Sequence, residues 1–198
     1  GRVHLNQTTL DLSQVVKHAV ETVTPLIEQH KHELVLHLCD EPVWANADAT
    51  RLEEILINLL NNAAKYTPDG GRIEVWCEGL PGDEWVQGRV RDTGIGIDEK
   101  HLPHIFDLFT QADRSLAPSA GGLGIGLSLV HRLVELHGGT VEAHSPPMGS
   151  EVGSEFVVKL PMAASPLAGA QQAPDESAPD PGGIRVLVVD DNINLVMM

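Results

Sequence analysis

Three polar side chains on one helical segment have the types and spacing to hold a charged ligand. Asn58, Asn62 and Lys65 stand at i, i+4 and i+7, within an arc of about 60° on an α-helix. They flank an apolar stripe of Leu52, Ile55, Leu56, Leu59, Leu60 and Ala63, so they line the margin of a core and not its far side. Two carboxamides and an ammonium suit a Mg²⁺–polyphosphate: the amide oxygens meet a hard cation and the lysine meets phosphate. An isolated Asn-x-x-x-Asn is more often a solvated helix face. Two glycine loops shift the balance here. Asp92-Thr93-Gly94-Ile95-Gly96 comes straight off a strand pattern, and Gly121-Gly122-Leu123-Gly124-Ile125-Gly126 opens a helix pattern. Glycines allow positive φ and close backbone approach, and a helix N-terminus offers unpaired N–H groups to phosphate.

The elements that must position these residues follow from periodicity. Leu12, Val15, Val16, Ala19, Val23, Leu26 and Ile27 predict an amphipathic helix over roughly 12–30. Leu34, Leu36 and Leu38 alternate with polar neighbours, as in a half-buried strand. Asp48 is the expected N-cap of the helix that carries Asn58. Asp69-Gly70-Gly71 turns into a strand with Ile73, Val75 and Cys77, and Val86, Gly88 and Val90 form the next one. A short helix is expected near 98–108, a further helix from about Gly124 to His137, and closing strands near 140–145 and 152–160. Such an order implies an α/β fold: a two-layer sandwich of a mixed sheet with three main helices on one face.

The 198-residue chain carries 13 Lys and Arg against 28 Asp and Glu, a formal charge of −15. This acidity repels a phosphate backbone, so no nucleic-acid partner is expected. Cys39 and Cys77 are far apart in sequence with no CxxC pair, which fits a reduced, cytoplasmic setting. No apolar run reaches the ~18 residues of a membrane span, and the N-terminus has no signal-peptide pattern, so a soluble chain without direct membrane contact is expected. Residues 1–162 read as one folded unit. Residues 163–183, rich in Pro, Ala, Gly and acid, read as a linker. In 184–198, the run Ile184–Val189 followed by Asp190-Asp191-Asn192 reads as the first strand of a truncated second domain.

Four motifs in order carry a resemblance. Asn58-Leu-Leu-Asn-Asn62-Ala-Ala-Lys65-Tyr66-Thr resembles the N box of sensor histidine kinases, and Asp92-x-Gly94-x-Gly96 their G1 box. Phe106-Asp-Leu-Phe109 is similar to the F box, and Gly122-x-Gly124-x-Gly126-Leu127 to the G2 box. The match covers about residues 5 to 162 and implies the catalytic ATP-binding domain of a hybrid sensor histidine kinase, with the Bergerat-type fold shared with gyrase B, Hsp90 and MutL. By that resemblance Asp92 accepts a hydrogen bond from the adenine amino group and Tyr66 packs near the base. Asn62 is the implied Mg²⁺ ligand and Lys65 a phosphate contact. Asn58, the implied catalytic residue, neighbours the metal and its waters. Gly94, Gly96, Ile97 and Phe109 complete the implied ATP site, with Gly122, Leu123, Gly124, Ile125, Gly126 and Leu127 at the phosphate end. Residues 110–120 are the expected ATP lid, with Arg114 its one basic side chain. The tail resembles the opening of a receiver domain.

The implied reaction is γ-phosphoryl transfer from Mg·ATP to a histidine. That histidine is expected on a separate dimerisation domain of the full-length protein, with a receiver domain as the further partner. ATP hydrolases of the same fold carry a glutamate where this chain has Asn58, and a carboxamide is no general base. The rival readings are an ATP-hydrolysing clamp-type relative and a non-catalytic nucleotide-sensing module. His32-Glu33-Leu34 resembles the start of an acceptor-histidine motif but precedes a strand pattern, and His101 with His104 reads as a surface pair. No GxxxxGK[ST] occurs, which excludes a P-loop.

Overall fold

The computed structural model describes residues 4–79, 84–108 and 125–165. Along these run β1 (Thr8–Asp11), α1 (Leu12–Gln29), β2 (Glu33–Leu38), β3 (Trp44–Ala47), α2 (Ala49–Tyr66), β4 (Arg72–Gly79) and β5 (Trp85–Asp92). A 3₁₀ turn at Leu102–His104, α3 (Gly126–Leu136), β6 (Thr140–His144) and β7 (Ser154–Pro161) follow.

Five strands form one sheet in the order β2-β4-β5-β7-β6. The β2–β4 pair is parallel and the other three are antiparallel, the mixed sheet that the order of elements predicts. Because side chains alternate along a strand, the register aligns Val75, Val90, Phe156 and Ala143 in one row on one face. The apolar stripes of α1, α2 and α3 close over that face, with Leu52, Ile55, Leu59, Leu60, Val130 and Leu133 almost wholly buried. The opposite face carries His37, Trp76 and Arg89, aligned by the same register. There the His37 ring stacks on Trp76 and the Arg89 guanidinium lies over the indole.

Polar contacts fix how the helices sit. Asp48 caps α2, its Oδ1 accepting from Arg51 N at 3.1 Å. Its Oδ2 accepts from Asn6 N at 2.9 Å, which ties down the N-terminal segment. His137, 3% exposed at the end of α3, donates from Nδ1 to Leu133 O and accepts Asp48 N–H at Nε2. This buried imidazole therefore locks the end of α3 to the start of α2. His32 is also buried and donates to Ala64 O, a structural histidine ahead of a strand, as its sequence position suggests.

Three expectations need correction or extension. The helix expected near 98–108 is a three-residue 3₁₀ turn, Leu102–His104, with Pro103 in its first positions and turns around it. Proline removes a backbone donor, and the segment buries only Ile105, too little apolar surface to hold a longer helix. Next, α3 runs from Gly126 to Leu136, against an expected span of about Gly124 to His137. Finally, β1 and β3 form a separate antiparallel pair that the sequence reading did not anticipate. Four-residue strands are too short to show alternation; they are held by Leu12 N to Val43 O and a bridge between Ala45 and Met162. Most of the expected linker, and the whole of 184–198, lie outside the described residues.

Removing the Asp48 cap should weaken the whole fold, since the cap fastens both α2 and the N-terminal segment. Asp48→Ala is expected to lower unfolding free energy by about 1–2 kcal/mol, measured by urea denaturation at neutral pH. Its carboxyl is held below the ordinary value, chiefly by the Asn6 N–H bond. The deficit should therefore be full above the ordinary aspartate pKa and vanish as pH falls through the depressed one.

Candidate functional site

The site is built where α2 ends beside the last residue of β5. Asp92 stands on the helix-facing side of the sheet, paired in register with Ile73 on one side and Ser154 on the other. The residue is 4% exposed. Oδ1 accepts from Gly94 N at 2.8 Å and Ser154 N at 3.3 Å, and Oδ2 accepts from Ser154 Oγ at 2.8 Å. Burial still pushes its pKa above the ordinary aspartate value against these three bonds. A carboxylate has about four acceptor positions, so one remains on Oδ2 for an incoming donor.

The loop after Asp92 is stitched to α2. Ile95 N donates to Tyr66 O at 3.1 Å, Thr93 N to Arg72 O, and Arg72 N to Thr93 Oγ1. Gly94 is buried and Gly96 half-buried, while Ile97 packs against the core edge. Ile97 N in turn donates to Ser145 Oγ at 2.7 Å. Tyr66 is 37% exposed, its ring lying 4.9 Å from Lys65 Nζ. The base end of the expected site is thus assembled from three elements.

At the other end of the stripe, α2 meets the start of α3. Asn58 Nδ2 donates to Glu54 O at 2.8 Å, which turns its oxygen outward. A Cβ on Gly126 would stand 2.9 Å from that oxygen, so a side chain at the start of α3 would require the Asn58 carboxamide to shift. Ile125 provides no side-chain cap for α3, and Ser128 Oγ returns to Ile125 O. Leu127 packs on the core. Asn62 is half-buried, and no described residue hydrogen-bonds its carboxamide. Its oxygen and that of Asn58 lie on one stripe with Lys65, a donor set that fits a hard cation retaining waters and phosphate oxygens. No group of three or more His, Cys, Asp or Glu among the described residues could hold a metal by itself.

Phe109, Gly122, Leu123, Gly124, Arg114 and the rest of the expected lid lie outside the described residues. Phe106, the first residue of the expected F box, packs edge-on against Phe156 and near the His131 ring. The sequence reading missed Ser154, Gly153 and Ser145. Ser154 meets Asp92 only through strand register, and a lone serine at a strand start gives no signal in sequence. Gly153, at φ +92°, takes a conformation that L residues rarely adopt, and a Cβ there would collide with Asp92 O.

Residues 47–164 match the family of histidine kinase-, DNA gyrase B- and HSP90-like ATPases, and the chain belongs to that family. Hybrid signal transduction histidine kinase D of Dictyostelium discoideum is 34% identical over 166 residues, 82% of this chain and 10% of that protein. Sensor histidine kinase YclK of Bacillus subtilis is 33% identical over 164 residues, 82% of this chain and 33% of its own. The chain therefore spans between a tenth and a third of these relatives' length. Among solved structures, full-length ShkA in complex with AMPPNP superposes with TM-score 0.70 at 28% identity, covering 83% of this chain and 33% of that one. The catalytic domain of histidine kinase ThkA gives 0.69 at 25%, covering 79% and 96%. The two-layer fold read from the sequence is that of histidine kinase catalytic domains. No described helix is long and apolar enough to cross a membrane.

The buried Asp92 charge sets a stability test. Its folded pKa is raised, so the ionised form costs stability at neutral pH, and stability recovers as pH falls through the raised value. Asp92→Asn keeps an oxygen for the Gly94 and Ser154 N–H groups and offers Ser154 Oγ a donor. Thermal unfolding of this variant should occur at or above the wild-type temperature at pH 7, with the gap narrowing as the pH is lowered.

Proposed function

We propose that the chain binds Mg·ATP and transfers its γ-phosphoryl group to a histidine on a separate helical dimerisation domain, in a two-component signalling protein. The observation that carries this reading is the pairing of a buried, sparingly satisfied carboxylate with a carboxamide stripe ending at an uncapped helix start. Asp92 would accept from the adenine amino group at its free Oδ2 position, with Tyr66 beside the base. Lys65 would reach phosphate, leaving its place over the Tyr66 ring. Asn62, assisted by Asn58 and water, would hold Mg²⁺, which when bound neutralises phosphate charge and aligns the γ-phosphoryl group. The N–H groups at the start of α3 would meet the phosphates, with Gly126 leaving room for Asn58.

In the transfer, an imidazole nitrogen forms a P–N bond as the bond from phosphorus to the β–γ bridging oxygen breaks, and ADP leaves. Such a transition state needs positioning and electrostatics more than covalent help from the protein. Asn58 supports kinase over hydrolase chemistry. Its amide is held by Glu54 O and cannot take a proton from water. Hybrid kinases among the relatives support a receiver domain as the downstream partner.

The test mixes the chain with γ-labelled Mg·ATP and a purified histidine kinase dimerisation domain. Label should pass to a histidine of that domain, and the chain alone should hydrolyse little ATP. Hydrolysis on the order of 1 s⁻¹, an ordinary enzyme rate, with no label on protein would decide for the hydrolase reading. Separately, Asn62→Ala should weaken Mg²⁺-dependent ATP binding by about tenfold or more, because a cation oxygen ligand is lost. Calorimetry with and without Mg²⁺ measures it, and an unchanged Mg²⁺ increment would remove Asn62 from the site.

A further inference from the structure

We propose that Ser145, which hydrogen-bonds neither Asp92 nor the α2 stripe, is a positioning residue that sets base recognition by fixing both backbone segments that flank the Asp92 carboxylate. The inference rests on the ATP reading given above. Ser145 follows β6, half-buried. Its Oγ accepts from Ile97 N at 2.7 Å and donates to Gly153 O at 2.8 Å. One hydroxyl thus uses its proton on one segment and a lone pair on the other.

Each segment bears directly on Asp92. The first, residues 94–97, contains the Gly94 N–H that holds Oδ1, and it is otherwise attached to α2 through Ile95 N and Tyr66 O. The second contains Gly153, which lies against the Asp92 backbone at a positive φ. The next residue, Ser154, supplies two of the three bonds to the carboxylate. The Gly153 carbonyl belongs to the peptide whose N–H is that of Ser154. Anchoring that carbonyl at Ser145 therefore orients the N–H that reaches Asp92 Oδ1. This bridge spans the gap between the two segments and, through the Gly153–Ser154 peptide, adds to the strand register and the Ser154 bonds in setting how Oδ2 presents its remaining lone pair.

Loss of the hydroxyl should affect the base and spare the phosphates, because the Ser145 hydroxyl bonds Ile97 N and Gly153 O and makes no hydrogen bond to Asn58, Asn62, Lys65 or the described residues of α3. Guanine presents a carbonyl where adenine presents its amino donor, so weak GTP binding draws on the phosphate end alone. Ser145→Ala should weaken Mg·ATP about tenfold, equivalent to ~1.4 kcal/mol, and change Mg·GTP by less than about twofold. The ATP-to-GTP preference then contracts, which a general loosening of the fold would not produce. Calorimetric titration of wild-type and S145A chains with both nucleotides reads this directly, with circular dichroism establishing that the variant is folded. A preserved preference in S145A, or an equal loss for both nucleotides, overturns the inference and leaves ATP binding intact as a reading. Equal affinity of the wild type for ATP and GTP overturns adenine recognition and this inference with it. Hydrogen exchange in the nucleotide-free wild type gives a second measurement that needs no variant. The Ile97 amide should be protected, since Ser145 Oγ is its partner, and exchange at the rate of an open loop would also overturn the inference.

Discussion

A buried carboxylate at the end of β5 is the constraint around which this end of the molecule is arranged. Removing an ion from water is costly unless its lone pairs are met. Asp92 is met by two backbone N–H groups and one hydroxyl, from the loop that follows it and from the neighbouring strand β7. Gly94 must follow at two residues' distance, Ser154 must lie opposite in register, and Gly153 must press against the Asp92 backbone. Burial outweighs these three bonds and leaves the pKa above the ordinary aspartate value. A structural aspartate would gain from a fourth donor. On the proposed reading, that donor is the ligand's amino group, and the residual cost in the free protein becomes part of the selectivity when the base binds.

The second requirement is that one helix serve two purposes. The apolar stripe of α2 is the centre of the core, with Leu52, Ile55, Leu59 and Leu60 almost without exposure. Its polar stripe borders that core, so the side chains of Asn58, Asn62 and Lys65 inherit the rigidity of the packing beneath them. Both ends are anchored independently: Asp48 and His137 at the start, and the Tyr66 carbonyl bonded to Ile95 N at the finish. A rotation of α2 that displaced Asn62 would also unpack the core, which ties site geometry to global stability.

Most of the architecture was legible because it rests on long periodic patterns. The helices α1 and α2 and the five strands of the main sheet lie within a residue or two of their expected places. The α2 stripe was legible for the same reason, since helical spacing converts sequence distance into angle. What escaped was set by contacts between distant segments. The β1–β3 pair depends on bridges to Val43 and Met162. Ser154 and Ser145 owe their positions to strand register and to a loop that folds back across eight residues. The expected 98–108 helix failed in the opposite direction. Pro103 removes a backbone donor there, and the segment has little core to cover.

Phosphate binding by a chain of net charge −15 becomes intelligible once range is considered. Screening limits exposed charges to about 8 Å at physiological ionic strength, so the global excess of acid matters less than what stands beside the ligand. From Asn58 to Lys65 the polar stripe of α2 carries neutral carboxamides and one lysine, the Glu54 carboxylate one turn earlier is paired with Arg51, and the uncapped start of α3 adds a positive dipole end. Asn58 contributes twice to that balance. A carboxylate at this position would supply a base for water but would also set a negative charge close to the outermost phosphate. The carboxamide keeps the oxygen and gives up both the charge and the basicity. Its orientation, fixed by Nδ2 on Glu54 O, keeps the oxygen directed toward Gly126 and the start of α3. On the proposed reading, the carboxamide that suppresses attack by water also eases binding of a tetra-anionic nucleotide, a combination suited to a domain that would hold ATP intact until an external nucleophile arrives.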